Sequence, residues 1–323
     1  MRYLGMKLAQ SVLLMLGASV LSFAFLQLAP GDFFEEMRLN PQISAETVAG
    51  LRAQYGLDRP LPVRYARWLG SAMKGDFGYS FAYGLPVGSL MLVRAKNTLL
   101  LTTIATIMTW IIAVPLGMLV ADRPNGILAH ASKFLESTLL ATPELVLALV
   151  VLLIGVRTGW FRVGGVRVDA TDAPASWGRW QDLASHLAGP VLVLTLGALP
   201  VVLRHTTSAM REALKAPFVA AARSYGIRHT RIVFRHALPV ALNPLATLFG
   251  TSVASLLSAS LLVEVVMNWP GLGPLLLEAI MDRDVYVVIS AVMLSTAMLT
   301  AGTLVSDALL VVFDPRIRKE QMA

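Results

Sequence analysis

The sequence predicts an all-α, polytopic membrane protein with six transmembrane helices. Three observations carry that reading. Hydrophobic residues make up 56% of the 323 positions and charged residues only 15%, where soluble domains carry roughly 25% charged residues. Six stretches approach the ~20 apolar residues needed to cross about 30 Å of hydrocarbon. Lysine and arginine gather in alternate loops, the signature of the inner membrane face.

The six predicted spans cover residues 8–28, 98–121, 134–156, 187–203, 238–263 and 285–313. The first reads as an uncleaved anchor. Its apolar run exceeds a typical signal-peptide core, and Gln27-Leu28-Ala29-Pro30 is a poor cleavage site. Pro115, Pro143, Pro200 and Pro244 fall within spans. Neighbouring helices can satisfy the backbone groups that proline frees, so each is expected to kink its helix and not break it.

Arg2 and Lys7 precede the first span and place the N-terminus inside. Six crossings return the C-terminus to the same side, beside Arg316, Arg318 and Lys319. The loop at 204–236 also falls inside and carries seven lysines and arginines against the single acid Glu212. The last outer loop is acidic: Glu264, Glu278, Asp282 and Asp284 face Arg283 alone. The net charge of +7 is therefore a mark of topology, and nucleic acid is not an expected partner. The absence of cysteine excludes disulfides, thiolate metal sites and a cysteine nucleophile.

Three regions follow: an N-terminal transmembrane helix at 1–29, an extracytoplasmic helical loop at 30–93, and a five-helix core at 94–323. In the outer loop Ser44 can cap a short helix ending near Tyr55-Gly56. Pro60 and Pro62 then introduce a second helix through about Lys74, stopped by Gly75, with Tyr65, Trp68 and Leu69 on its apolar face. A packed lid and a substrate-handling cap both remain open for this region. Residues 157–186 carry Gly164-Gly165 with Trp160, Trp177 and Trp180, which favours anchoring at the membrane interface over a substrate cage.

The inner loop has the most specific pattern. Pro217 suits the first turn of a helix. Ala220, Ala221 and Ala222 are the best helix formers in a row, and Gly226 can adopt the left-handed cap that ends a helix. A second helix at about 229–236 would lead into Leu238-Pro239 and the fifth span. Small residues let another backbone approach closely, and Arg223 and Arg228 can pair with a partner's acids. An amphipathic helix resting on anionic lipid explains the same residues, and the two readings stand side by side.

The spacing of Ala221-Ala222, Gly226 and Leu238-Pro239 resembles the Glu-Ala-Ala signature of binding-protein-dependent ABC importer permeases. Ala220 stands where that pattern has Glu, and His236 where it has Ile. Further stretches resemble the peptide branch of the family. They include Leu28-Ala29-Pro30-Gly31-Asp32, Tyr55-Gly56-Leu57-Asp58, Lys74-Gly75-Asp76-Phe77-Gly78-Tyr79-Ser80, Trp269-Pro270-Gly271-Leu272-Gly273 and Asp314-Pro315-Arg316. Together the chain resembles the B-type permease subunit of dipeptide, oligopeptide and nickel ABC importers.

The resemblance implies a type I ABC importer permease fold in a bacterial inner membrane. It implies a C-type sister permease sharing the pore, two ABC ATPase subunits below, and an extracytoplasmic substrate-binding protein above. ATP and Mg would sit on the ATPases. The loop would be their coupling helix, using Ala220, Ala221, Ala222, Arg223, Ser224, Tyr225, Gly226, Leu238 and Pro239. Consistent with this, the chain lacks the Gly-x-x-x-x-Gly-Lys-Ser/Thr loop that cradles phosphates. Peptides lead as cargo, with nickel chelates and other small solutes open.

Other residues carry weaker readings. Glu144 is expected near the middle of the third span, where a charge costs roughly 2.5–3.5 kcal/mol or more and faces protein or water. It is a pathway candidate; a hydrogen bond to another helix, or a place nearer a helix end, explains it as well. Asp307 suits a structural ion pair. Glu264 can shape an outer gate, though an exposed interfacial carboxylate is its ordinary explanation. Trp269, Pro270, Gly271 and Gly273 predict a tight turn, holding a re-entrant segment at the pore mouth or a plain loop anchored by Trp269. No Ser/His/Asp set, Gly-x-Ser-x-Gly or close histidine pair is present, so neither a catalytic centre nor a metal site is expected. The alternative function is a self-contained proton-coupled carrier with Glu144 or Asp307 as relay. Six spans without a visible repeat are few for that class.

Overall fold

The computed structural model describes residues 2–28, 46, 50, 59–164 and 177–313, with side chains described at 9–25, 46, 50, 59–164 and 180–305. The expected Ser44 helix, the Tyr55–Asp58 and Ala29–Asp32 stretches, Gly165, the C-terminal tail and the side chains of Asp307 and Trp177 lie outside these residues.

In chain order the helices are α1 (Arg2–Leu28), α2 (Leu61–Ala72), α3 (Val87–Asp122), α4 (Ile127–Ala141), α5 (Glu144–Thr158), α6 (Trp177–Lys215), α7 (Pro217–Ser224), α8 (His229–Arg231), α9 (Leu238–Val266), α10 (Leu272–Met281) and α11 (Val285–Phe313). A π-helical turn, Ile232–Ala237, joins α8 to α9. Strands β1 (Tyr79–Ser80) and β2 (Leu85–Pro86) pair antiparallel, a small hairpin that the all-helical reading does not include.

Val87–Asp122, Trp180–Lys215, His229–Val266 and Val285–Val305 are each long and apolar enough to cross a membrane. The third expected span differs from its prediction. It is two helices, α4 and α5, bent by 106°, so Pro143 marks a break and not a kink. The residue before a proline is pushed out of the helical region, and Thr142 is extended at φ −90°, ψ 118°. Both halves pack on α6, so the break leaves each with a supporting surface. Pro115, Pro200 and Pro244 lie inside continuous helices, as expected. Among the described residues this makes four candidate spans, or five with the bent pair taken as one. The first expected span falls in α1, whose apolar stretch with described side chains is Ala9–Phe25.

The chain divides into two compact units: Met1–Thr98 with Pro270–Ala297, and Leu99–Trp269 with Met298–Ala323. In the first unit, Phe23 of α1, Trp68 of α2 and Ile289 of α11 form the buried centre, with Tyr65 and Leu69 against them. The predicted apolar face of α2 is thus a packing face. The Trp68 indole Nε1 donates to the Phe77 carbonyl at 3.2 Å. Asp284 is fully buried and accepts from Ser80 Oγ at 2.6 Å and from the Ala82 amide at 3.3 Å. Beside it, Arg283 takes a left-handed φ of 56° and ends α10. The other end of α10 is held to α3: the Leu272 amide donates to Thr98 Oγ1 at 2.9 Å, and Asn97 Nδ2 to the Pro270 carbonyl at 2.7 Å.

The second unit is organised on α6, against which α4, α5 and α9 all pack. Its main core joins Leu101 and Ala105 of α3, Ala148 and Val151 of α5, Leu194 of α6 and Leu256 of α9 around Phe161. Glycines admit that ring. A Cβ at Gly155 would overlap Phe161, and one at Gly189 would stand 2.7 Å from Phe161 and 2.5 Å from Met267. Between apolar helices in a bilayer, close approach of this kind supplies packing that hydrophobic exclusion cannot.

Candidate functional site: a helical elbow and a polar-lined cavity

The elbow begins where α6 ends. Ala216 is extended and Pro217 opens α7, as proline in a first turn predicts. At the other end the Gly226 amide donates to the Arg223 carbonyl at 2.9 Å and the Ile227 amide to Ala222 at 3.1 Å. Gly226 sits at φ +72°. This is the two-bond left-handed cap that glycine permits. The chain then turns to meet α7 again: Val219, Ala222 and Ile232 bury one another, with Ile227 against them.

That packing divides the predicted coupling residues. Ala220, Ala221, Arg223, Ser224, Tyr225 and Gly226 are exposed, whereas Ala222 is buried. Two of the three alanines are therefore presented outward, and the third holds the elbow closed. Leu238 is half-buried and Pro239 exposed at the start of α9. The separate helix expected at 229–236 is instead one α-turn running through the π-turn into α9. Proline cannot donate an N–H, and its ring presses on the carbonyl four residues back. The wider π-turn immediately ahead of Pro239 relieves that conflict.

The elbow is firmly mounted. Val233 and Ala237 of the π-turn pack with Met118 and Ala121 of α3, Met210 and Ala213 of α6, and Ala241 of α9. His229 Nε2 lies 2.6 Å from Asp122 Oδ1 at the end of α3. Asp122 carries no local motif, and nothing short of the fold pairs it with a residue 107 positions away.

The second feature is a cavity of about 400 Å³ lined by residues of α4, α5, α6 and α9. Glu144 lines it from the first turn of α5, not from mid-span. The broken helix puts its carboxylate beside α6, with Oε1 3.9 Å from where a Gly197 Cβ would stand. An acid in a first turn is favoured by the helix dipole. Thr142, Thr251, Ser252 and Ser255 add polar groups to a largely apolar wall, and Trp110 Nε1 donates to Ser252 Oγ at 3.1 Å.

Glu264 is fully buried, which corrects its ordinary reading as an exposed carboxylate. It lies in the last turn of α9, which a left-handed Asn268 at φ 51° terminates. The following Trp269 amide returns to the Glu264 carbonyl at 2.8 Å, and the Trp269 side chain joins the core beside Met267. Trp269 is thus no interfacial anchor. Gly271 is the N-cap of α10 and Gly273 is buried in its first turn. At ten residues, α10 is about 15 Å long, too short to cross a bilayer.

The family model of the binding-protein-dependent transport system inner membrane component matches residues 113–319. The chain belongs to this family. It is 34% identical to the oligopeptide transport system permease protein AppB of Bacillus subtilis over 98% of both chains. It is 32% identical to the dipeptide transport system permease protein DppB of Escherichia coli over 95% of both. A solved structure of the MetNI methionine ABC transporter in inward-facing form matches with a TM-score of 0.55 at 20% identity, covering 70% of this chain and 96% of that one. This permease accordingly has the type I ABC importer permease fold. Both the elbow and the Glu144 cavity lie largely within the stretch the family shares, whereas α1, α2 and the hairpin precede it.

Proposed function

We propose that this permease forms half of the pore of an ATP-driven importer for di- and oligopeptides, with both termini in the cytoplasm and a C-type sister subunit as the other half. Two ABC ATPase subunits bind the inner face and carry ATP and Mg. An extracytoplasmic substrate-binding protein delivers cargo. The relatives named for oligopeptide and dipeptide transport support the cargo class.

The observation that carries the reading is the mounted elbow. Ala220, Ala221 and Ser224 offer a small-residue surface, while the opposite side of the same segment is packed onto α3, α6 and α9. Closing of the ATPases pushes α7; the packed root passes that displacement to three spanning helices; the pore rocks between outward-open and inward-open states. Short loops on a rigid root transmit motion because packed interfaces shift as units. In the cavity, the Glu144 carboxylate suits the free ammonium of a peptide, and the apolar wall suits its side chains.

The deciding experiment places a crosslinker at Ala221→Cys or Ser224→Cys in the assembled transporter. Capture of a nucleotide-hydrolysing subunit, varying with nucleotide state, is the expected result. Failure to capture one in any state of a transport-competent assembly rules the coupling role out.

A further inference from the structure

A cleft of about 580 Å³ opens between α4 and α6, apart from both features described above. Its cations, Lys133, Arg204, Arg211 and Lys215, outnumber its acids, Glu136 and Glu212. Two of its lining residues also hold a polar atom that is shut off from the cleft and, among the described residues, has no hydrogen-bond partner: Thr207 Oγ1 and Arg211 Nε. Thr207 itself is only 8% exposed. A buried hydroxyl and a buried guanidinium N–H left unsatisfied are costly. What the cleft itself offers is the excess of cations over acids, which suits an anion with several acceptor oxygens.

Its setting narrows the ligand. The cleft sits where the apolar length of α6 gives way to basic residues, starting at Arg204. Phe134 and Leu135, between Lys133 and Glu136 on α4, are 75% and 38% exposed. Acyl chains can lie along such a surface while the headgroup sits among the cations. We propose that this cleft binds the phosphate of an anionic phospholipid of the inner leaflet, with the charged ends of Arg204 and Arg211 as its inner cations and Lys133 and Lys215 at its rim. The leaflet assignment rests on the cytoplasmic placement of residues 204–236; the phosphate site itself does not.

The test uses the full-length chain purified in detergent with the subunits that accompany it. Thermal stability is followed with micelles containing phosphatidylglycerol, with phosphatidylcholine, and with inorganic phosphate alone. Phosphatidylglycerol is expected to raise the melting temperature where phosphatidylcholine does not. Lys133→Gln and Arg211→Gln are each expected to weaken binding about fivefold, the weight of one cation near an anionic surface. Inorganic phosphate acting as well as the lipid, and losing its effect in Arg211→Gln, supports the anion site with free phosphate as its source. Equal effects of both lipids with none from phosphate overturn the proposal, as does undiminished binding in Lys133→Gln, an exposed change that spares folding. So does a variant that sheds a protein subunit while lipid binding is unchanged. No cargo or ATP is needed, so a negative lipid result leaves the importer reading intact. Labelling of Ser208→Cys from outside the cell would remove the leaflet assignment alone.

Discussion

His229 at the root of the elbow reaches Asp122, the last residue of α3, with 2.6 Å between Nε2 and Oδ1. Both side chains are partly exposed, and exposed pairs contribute about 0–1 kcal/mol. The contact therefore adds little to the stability of the fold; under the proposed coupling role it would carry displacement of the elbow to α3. Asp122→Ala is expected to leave the melting temperature nearly unchanged while lowering cargo uptake per ATP hydrolysed. Reconstituted vesicles in which both fluxes are measured will check this; an unaltered ratio means that the contact transmits nothing.

Gly226 offers a cleaner probe of elbow geometry. A Cβ there would meet nothing within 4 Å, so any penalty comes from the left-handed backbone alone. For a side chain that penalty is roughly 1–2 kcal/mol. Gly226→Val should loosen α7 and reduce crosslinking from Ser224→Cys, while Gly226→Asn, which tolerates this conformation, should lose less. Equal behaviour of the two variants would show that the cap geometry is not the cause.

Glu144→Gln removes the charge from the cavity and keeps its shape. Uptake of peptides with a free N-terminus should fall, and N-acetylated peptides should be affected less. Unaltered uptake together with unaltered preference would remove Glu144 from the pathway.

Gly189 marks where α6 makes room for Phe161 and Met267. Gly189→Val should lower stability by about 1–3 kcal/mol, as overpacked cores do. Phe161→Leu in the same chain should recover part of that loss. A double variant no better than the simple sum would show that Phe161 is not the obstacle.

Asp284 accepts from Ser80 and Ala82 inside the first unit. Asp284→Ala leaves the buried Ser80 hydroxyl without this acceptor and should cost about 1–3 kcal/mol, the price of an unmet hydrogen-bonding group. Asp284→Asn, which keeps an acceptor oxygen, should cost less. Thermal melts of the two variants compare them directly.

Local chemistry was readable before any fold was known. Among the described residues apolar length locates four spanning helices, because a segment long enough for hydrocarbon has few alternatives, but it does not show that the stretch at 134–156 is two helices. Pro217 and Gly226 bound α7, because a proline first turn and a left-handed glycine cap are decided within a few residues. The spacing from Ala221 to Pro239 carries the family for the same reason. What needed the tertiary structure is whatever depends on a distant neighbour. Pro143 breaks its helix while Pro115, Pro200 and Pro244 do not, because α6 supports both α4 and α5. Glu264 and Ala222 are buried, and Asp122 meets His229, only because separate helices bring their surfaces together. Sequence fixes which segments are helical through short-range sterics and solvation; the meeting of side chains across more than a hundred residues is settled by packing.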